Sequence, residues 1–154
     1  MTGVQTCALP ISIPSNLEAA GRIGTPKDIR EVVIPIGATI HMDGSCLSAI
    51  LKIAVLFGLF HGNFTGPWAM ATAVGVALLS GTVMSGIPGG GFLGELMIVT
   101  LYGFPIEAMP IISMIGTLVD PPATMVNAIG DNVASMMVAR ILGGPKWMKK
   151  PTEV

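Results

Sequence analysis

Asp120, Thr124, Asn127 and Asp131 follow one another at spacings of four, three and four residues in a mostly apolar stretch. On an α-helix, at about 100° per residue, they fall on one stripe. Two carboxylates, an amide and a hydroxyl on one face supply oxygen donors of the kind a hard cation takes. In hydrocarbon such a stripe is costly, and it persists only where it faces other helices, a water-filled cavity or an ion path. A second polar run, Gly37-Ala38-Thr39-Ile40-His41-Met42-Asp43-Gly44-Ser45, interrupts another apolar stretch. Glycine, a carboxylate and an imidazole at mid-depth predict an unwound segment. Non-helical backbone at that depth is tolerated only where it lines a site.

The elements that must position these groups are membrane helices. Of the 154 residues 51% are hydrophobic and 11% charged, and the net charge is -1. Mean hydropathy is +0.74. Soluble domains carry about 25% charged residues. No basic run interleaved with aromatics is present, so nucleic acid is not an expected partner. Twelve prolines and 20 glycines are compatible with membrane helices whose neighbours satisfy the freed backbone groups. Cys7 and Cys46 are not expected to form a disulfide.

Along the chain, residues 1–11 (MTGVQTCALPI) read as a translated sequencing adapter, which would place the native start further upstream. Ser12 to Arg30 reads as a solvated membrane-edge loop with a helix end at Ala19 to Arg22, a turn at Gly24-Thr25-Pro26 and a helix starting at Pro26. Glu31 to Phe60 is long enough to span a bilayer, with the 37–45 interruption in its middle. Gly66 to Leu79 and Phe92 to Leu101 are short apolar helices flanking Ser80 to Gly91, rich in Gly and Pro, and predict a re-entrant hairpin. A phosphate-cradling loop is disfavoured there because no Gly-Lys-Ser/Thr follows. Ile106 to Leu142 predicts a long amphipathic helix, bent at Pro121-Pro122. Arg140, Lys146, Lys149 and Lys150 after it favour a cytoplasmic C-terminus. Lys52 is expected to snorkel or face protein. Glu95 is expected to face a polar interface, His61 to be solvated, and the methionines to fill the core.

Two interrupted hydrophobic units in one chain are the sequence pattern of a transporter site near the midplane. Gly37 to Ser45 resembles the unwound seventh-helix motif of dicarboxylate/amino acid:cation symporters, the family that includes the glutamate transporters. Ser85-Gly86-Ile87-Pro88-Gly89-Gly90-Gly91 is similar to the tip of that family's second hairpin, and Asp120 to Asp131 to its eighth-helix signature. Ile13-Pro14 onward resembles the second arm of the first hairpin. The resemblance implies an all-α integral membrane fold with a broken helix, a re-entrant hairpin and a long amphipathic helix. It makes residues 12–147 part of a transport domain and 148–154 a cytoplasmic tail. It further implies a homotrimer in the plasma membrane, symport coupled to sodium or protons, and no organic cofactor.

By the same resemblance Asp120 would hold a substrate ammonium. Thr124, Asn127 and Ser45 would help to hold substrate, and Gly91 at the hairpin tip would close over it. One sodium would sit between the Asp131 carboxylate and carbonyls of Gly37, His41 and Asn127. A second would lie between Thr39, Met42 and the hairpin tip, and Asp43 would serve a third, deeper cation. Two departures matter. Ala123 stands where acidic-substrate members carry an Arg, which removes a bidentate carboxylate anchor. His41 stands where they carry an Asn, which predicts either a third site weakened or replaced by a proton or a simple core hydrogen bond. Met84 stands where a hydroxyl is frequent.

The main alternative is proton-coupled symport or exchange of a neutral amino acid. An intramembrane aspartyl protease would need two carboxylates on facing helices sharing a proton, whereas Asp120 and Asp131 lie on one helix. An ion channel could be lined by the same stripe, but has no use for a hairpin gate.

Overall fold

The computed structural model describes residues 4–60, 62–85 and 89–148, with side chains from residue 11 onward. The described residues form six α-helices: α1 Val4–Ile23, α2 Lys27–Ile40, α3 Asp43–Leu59, α4 Pro67–Met84, α5 Gly90–Tyr102 and α6 Ala108–Gly143. A 3-10 turn, Gly144–Lys146, follows. The described residues contain no strand. Among the described residues three helical stretches are long and apolar enough to cross a membrane: Lys27–Leu59, Pro67–Met84 and Ala108–Lys146. The protein is an all-α, multi-pass membrane protein.

The 36-residue α6 is the common packing partner. Its buried positions, Ala108, Ile112, Gly116, Ala123, Asn127, Asp131, Ser135 and Ala139, recur every four or seven residues. That spacing keeps one stripe against the other helices. The apolar half of the core joins Ala49, Ile53 and Leu56 of α3, Ala73 and Ala77 of α4, Ile98 and Val99 of α5, and Ala108 and Ile112 of α6. Alanine and glycine at these contacts let backbones approach closely, as membrane helices require in the absence of a hydrophobic drive between them. Large apolar side chains such as Trp68, Leu118 and Ile141 point outward, as a lipid or helix-facing surface would have them. At one end Phe57 of α3 is ringed by Phe64, Tyr102 and Phe104, with ring centroids 5.3, 5.2 and 5.2 Å away. Gly103, at φ 66°, closes α5 in the left-handed conformation that glycine adopts without strain.

Three expectations are corrected. Residues 12–23 are helical, not a loop, because α1 docks on the bundle. Ala20 is fully buried and the Asn16 amide donates to the Ala128 carbonyl at 2.9 Å. The unwound segment is much shorter than 37–45. The His41 N–H closes a last turn onto the Gly37 carbonyl at 2.8 Å, so only His41 and Met42 leave the helical conformation. α4 continues past Leu79 to Met84, which makes it long enough to cross a membrane. Pro121 and Pro122 lie inside an uninterrupted α6. Their missing amides free the carbonyls of Thr117 and Leu118. The hairpin-tip residues Gly86, Ile87 and Pro88 lie outside the described residues, as do His61, Lys149 and Lys150.

Candidate functional site

The break between α2 and α3 abuts α6 at Asn127 and Asp131. Asn127 is buried and ties both sides of the junction. Its Oδ1 accepts the Gly44 N–H at 2.7 Å, and its Nδ2 donates to Ser45 Oγ at 3.1 Å and contacts Met42 Sδ at 3.5 Å. Gly44 is glycine for a steric reason. A Cβ there would fall onto the Ala123 carbonyl oxygen. The Gly44 N–H also meets Asp43 Oδ1 at 2.9 Å, so the first turn of α3 has carboxylate and amide oxygens on its exposed donors.

One helical turn along α6, Asp131 is fully buried beneath α2. A Cβ at Gly37 would strike its Oδ1, so the missing side chain makes room for the carboxylate. His41 Nδ1 lies 3.3 Å from Asp131 Oδ1 and its Nε2 3.9 Å from Asp43 Oδ2. The imidazole therefore stands between two carboxylates, and the contact is a hydrogen bond to a site group. The other Asp131 oxygen, Oδ2, is buried without a protein hydrogen-bond partner. An orphaned carboxylate oxygen in an apolar interior is costly. A hard cation would satisfy it, and the donor chemistry fits. Among the described residues no group of three or more His, Cys, Asp and Glu side chains is placed to hold a metal. A cation at Asp131 would therefore draw its other ligands from backbone and amide oxygens. Beside this junction opens a pocket of about 300 Å³, lined by His41, Asp43, Val126, Ile129 and Gly130 among others.

The remaining predicted residues are divided. The Thr39 side chain is exposed and bonds back to the Ile36 carbonyl at 2.7 Å, but its own carbonyl accepts the Ser85 hydroxyl at the edge of the hairpin tip. Met42 turns its sulfur toward Ser45 and Asn127. Thr124 is half-buried. Asp120, 31% exposed at its side chain, turns one edge to Lys52, whose Nζ lies 3.7 Å from its Oδ1. Gly91 sits in the first turn of α5. Asp120 and Asp131 share the stripe of the uninterrupted α6 but contact two centres, Asp131 the α2–α3 junction and Asp120 the Lys52–Glu95 pair. The second centre is only partly legible in the sequence. Lys52 Nζ donates to Glu95 Oε1 at 2.9 Å, and Ser113 Oγ donates to Glu95 Oε2 at 2.7 Å. The available signal was a pair of opposite lone charges in two apolar runs.

The profile of the sodium:dicarboxylate symporter family matches residues 1–141. The chain belongs to this family. Over 129 residues it is 32% identical to the proton/sodium-glutamate symport protein of Bacillus subtilis (strain 168), covering 83% of the chain and 30% of that protein. It is 29% identical over 131 residues to human neutral amino acid transporter A, covering 84% of the chain and 24% of that protein. To excitatory amino acid transporter 4 of Mus musculus it is 26% identical over 141 residues, 91% of the chain and 24% of that protein. The chain therefore spans between 24% and 30% of the length of these relatives. No solved structure matches. The sodium:dicarboxylate symporter family is one of transporters, not enzymes, so the protease alternative falls.

Proposed function

We propose that this chain forms part of the transport domain of a symporter that carries a dicarboxylate or an amino acid into the cell, driven by sodium or protons. The observation that carries the reading is the abutment of the α2–α3 break on Asn127 and Asp131. The C-terminal end of α2 presents the negative end of a helix dipole beside the orphaned Asp131 oxygen, which favours a cation. The N-terminal end of α3 brings Ser45 beside Asn127, two polar side chains that supply hydrogen-bond partners for a solute. Cation and solute would then lie on opposite sides of one two-residue break. Each raises the affinity for the other, since binding either one orders the same junction.

In this reading Asp131, with carbonyls of Gly37, His41 and Asn127, serves one cation. Thr39, Met42 and the hairpin tip serve a second, and Asp43 a third. Asp120, Thr124, Asn127 and Ser45 line the solute, and Gly91 belongs to the re-entrant hairpin that closes over it. The assembly is a homotrimer in the plasma membrane, with its C-terminus in the cytoplasm. Relatives named for glutamate and for neutral amino acids both match, so names alone do not choose a substrate. Ala123 favours the neutral side. It is 5% exposed, packs on Gly44, and brings no guanidinium for a second substrate carboxylate.

The test is uptake of labelled aspartate, succinate and serine into vesicles holding the full-length transporter, with and without a sodium gradient. Saturable uptake driven by sodium or by protons supports symport. Serine uptake without aspartate or succinate uptake supports the neutral reading. Uptake of none of the three, or non-saturating flux, removes the proposal.

A further inference from the structure

Lys52 and Glu95 carry two charges for which the symport reading has no use. They come from different helices, α3 and α5, and their side chains are 3% and 8% exposed. Glu95 has both oxygens engaged, Oε1 by Lys52 and Oε2 by Ser113. Gly116 of α6 makes room for the pair, since a Cβ there would strike Glu95 Oε1 and lie 3.0 Å from Lys52 Nζ. A third contact makes this more than a structural clasp. Lys52 Nζ also lies 3.7 Å from Asp120 Oδ1. Asp120 thus turns one edge to a buried ammonium, while its side chain remains 31% exposed on the other.

We infer that Lys52 is a specificity-determining residue, a tethered ammonium on the inner edge of Asp120 that lets the site accept carboxylates lacking an amino group. The inference rests on the symport reading and deepens it. An amino-acid substrate would bring its own ammonium to Asp120. There it would find a carboxylate already shared with Lys52, and two like charges around one carboxylate oppose each other. A substrate without an amino group meets no such competition. It also leaves Asp120 with a cation beside it, so no buried carboxylate is stranded. A site that relied on the substrate ammonium alone would reject the amine-free analogue by about 10⁴-fold, because its own polar group would be left unpaired.

Two variants move this balance in opposite directions. Glu95→Gln removes the stronger claim on Lys52 and turns the whole ammonium toward Asp120. The double variant Lys52→Met with Glu95→Gln removes both charges of the pair, and with them the ammonium on the inner edge of Asp120. The experiment uses the full-length transporter in vesicles and measures competition by solutes that differ only in the amino group, aspartate against succinate and serine against 3-hydroxypropionate. In the unaltered protein the amine-free member is expected within about tenfold of its partner. Glu95→Gln should shift the ratio at least about threefold toward the amine-free member, and the double variant at least about tenfold the other way. Opposite shifts do not arise from general damage to the fold. A preference above about 100-fold for the amine-bearing member in the unaltered protein overturns the inference, as do shifts of the same sign in both variants. Should the double variant not reach the membrane, the ratios of the unaltered protein and of Glu95→Gln decide. Transport or competition by none of the four solutes removes the symport reading, whereas a fixed amine preference removes this inference alone.

Discussion

Gly44→Ala tests the contact on which the whole junction rests. The new methyl carbon would fall onto the carbonyl oxygen of Ala123, 2.9 Å from its carbonyl carbon and 3.0 Å from its Cα. All three are backbone atoms of α6, so no side chain can swing aside. Ordinary contact begins at 3.4 Å, which leaves the carbonyl carbon 0.5 Å too close and the oxygen closer still. α3 and α6 must part, and the 2.7 Å bond from the Gly44 N–H to Asn127 Oδ1 stretches beyond hydrogen-bond range. Overpacking of this kind costs about 1–3 kcal/mol and the lost bond about 1 kcal/mol, so the expected loss is about 2–4 kcal/mol. The assay is thermal unfolding of the purified full-length protein, with uptake measured in parallel. Gly58→Ala on the same helix is the control, because nothing lies within 4 Å of its added Cβ. There the better helix propensity of alanine should raise stability by about 0.5–1 kcal/mol. Equal behaviour of the two variants, or wild-type stability and uptake for Gly44→Ala, would refute the close-contact account of this glycine.

Asp131→Asn should abolish the sodium dependence of thermal stability, which in the unaltered protein should reach about 2.7 kcal/mol at a sodium concentration 100 times the dissociation constant. An unchanged sodium response in that variant removes Asp131 from the cation site. His41→Asn should raise the Hill coefficient for sodium in uptake, as an amide oxygen replaces an imidazole that is a poor ligand for a hard cation. A coefficient equal to that of the parent protein assigns His41 to packing alone. Gly116→Ala should drive Lys52 and Glu95 apart and destabilise the protein by about 3 kcal/mol, the cost of breaking a buried ion pair, as read from denaturant unfolding.

The helix break and its partners were legible because they violate local rules. A carboxylate in an apolar run demands an explanation, and Asn127, Asp131, His41 and Ser45 do meet. The extent of the break was not legible. Glycine at 37 suggests unwinding, yet here it serves as clearance for the Asp131 carboxylate while the helix continues. Sequence spacing also grouped Asp120 with Asp131 on one stripe. The uninterrupted α6 keeps them on it, but spacing did not show their different partners, Lys52 for Asp120 and His41 for Asp131. For Ser12 to Ile23 composition misled. Glu18 and Arg22 pair on the outer face of a docked helix, while Ala20 and the Asn16 amide face the bundle. The link from Lys52 to Glu95 spans 43 residues, and no local pattern encodes a pairing at that range.

That span has a consequence for biosynthesis. Lys52 leaves the ribosome well before Glu95, and a lone lysine at the centre of a membrane helix costs about 2.5–3.5 kcal/mol on insertion. At about 5–20 residues per second the 43 positions from Ile53 through Glu95 take about 2–9 s to make. For that interval α3 has no Glu95 to receive its ammonium, and the lysine stem can carry the charge toward the membrane surface. The ion pair thus ties the final placement of α3 to a helix made later, so that α5 relieves a cost its neighbour carries until then.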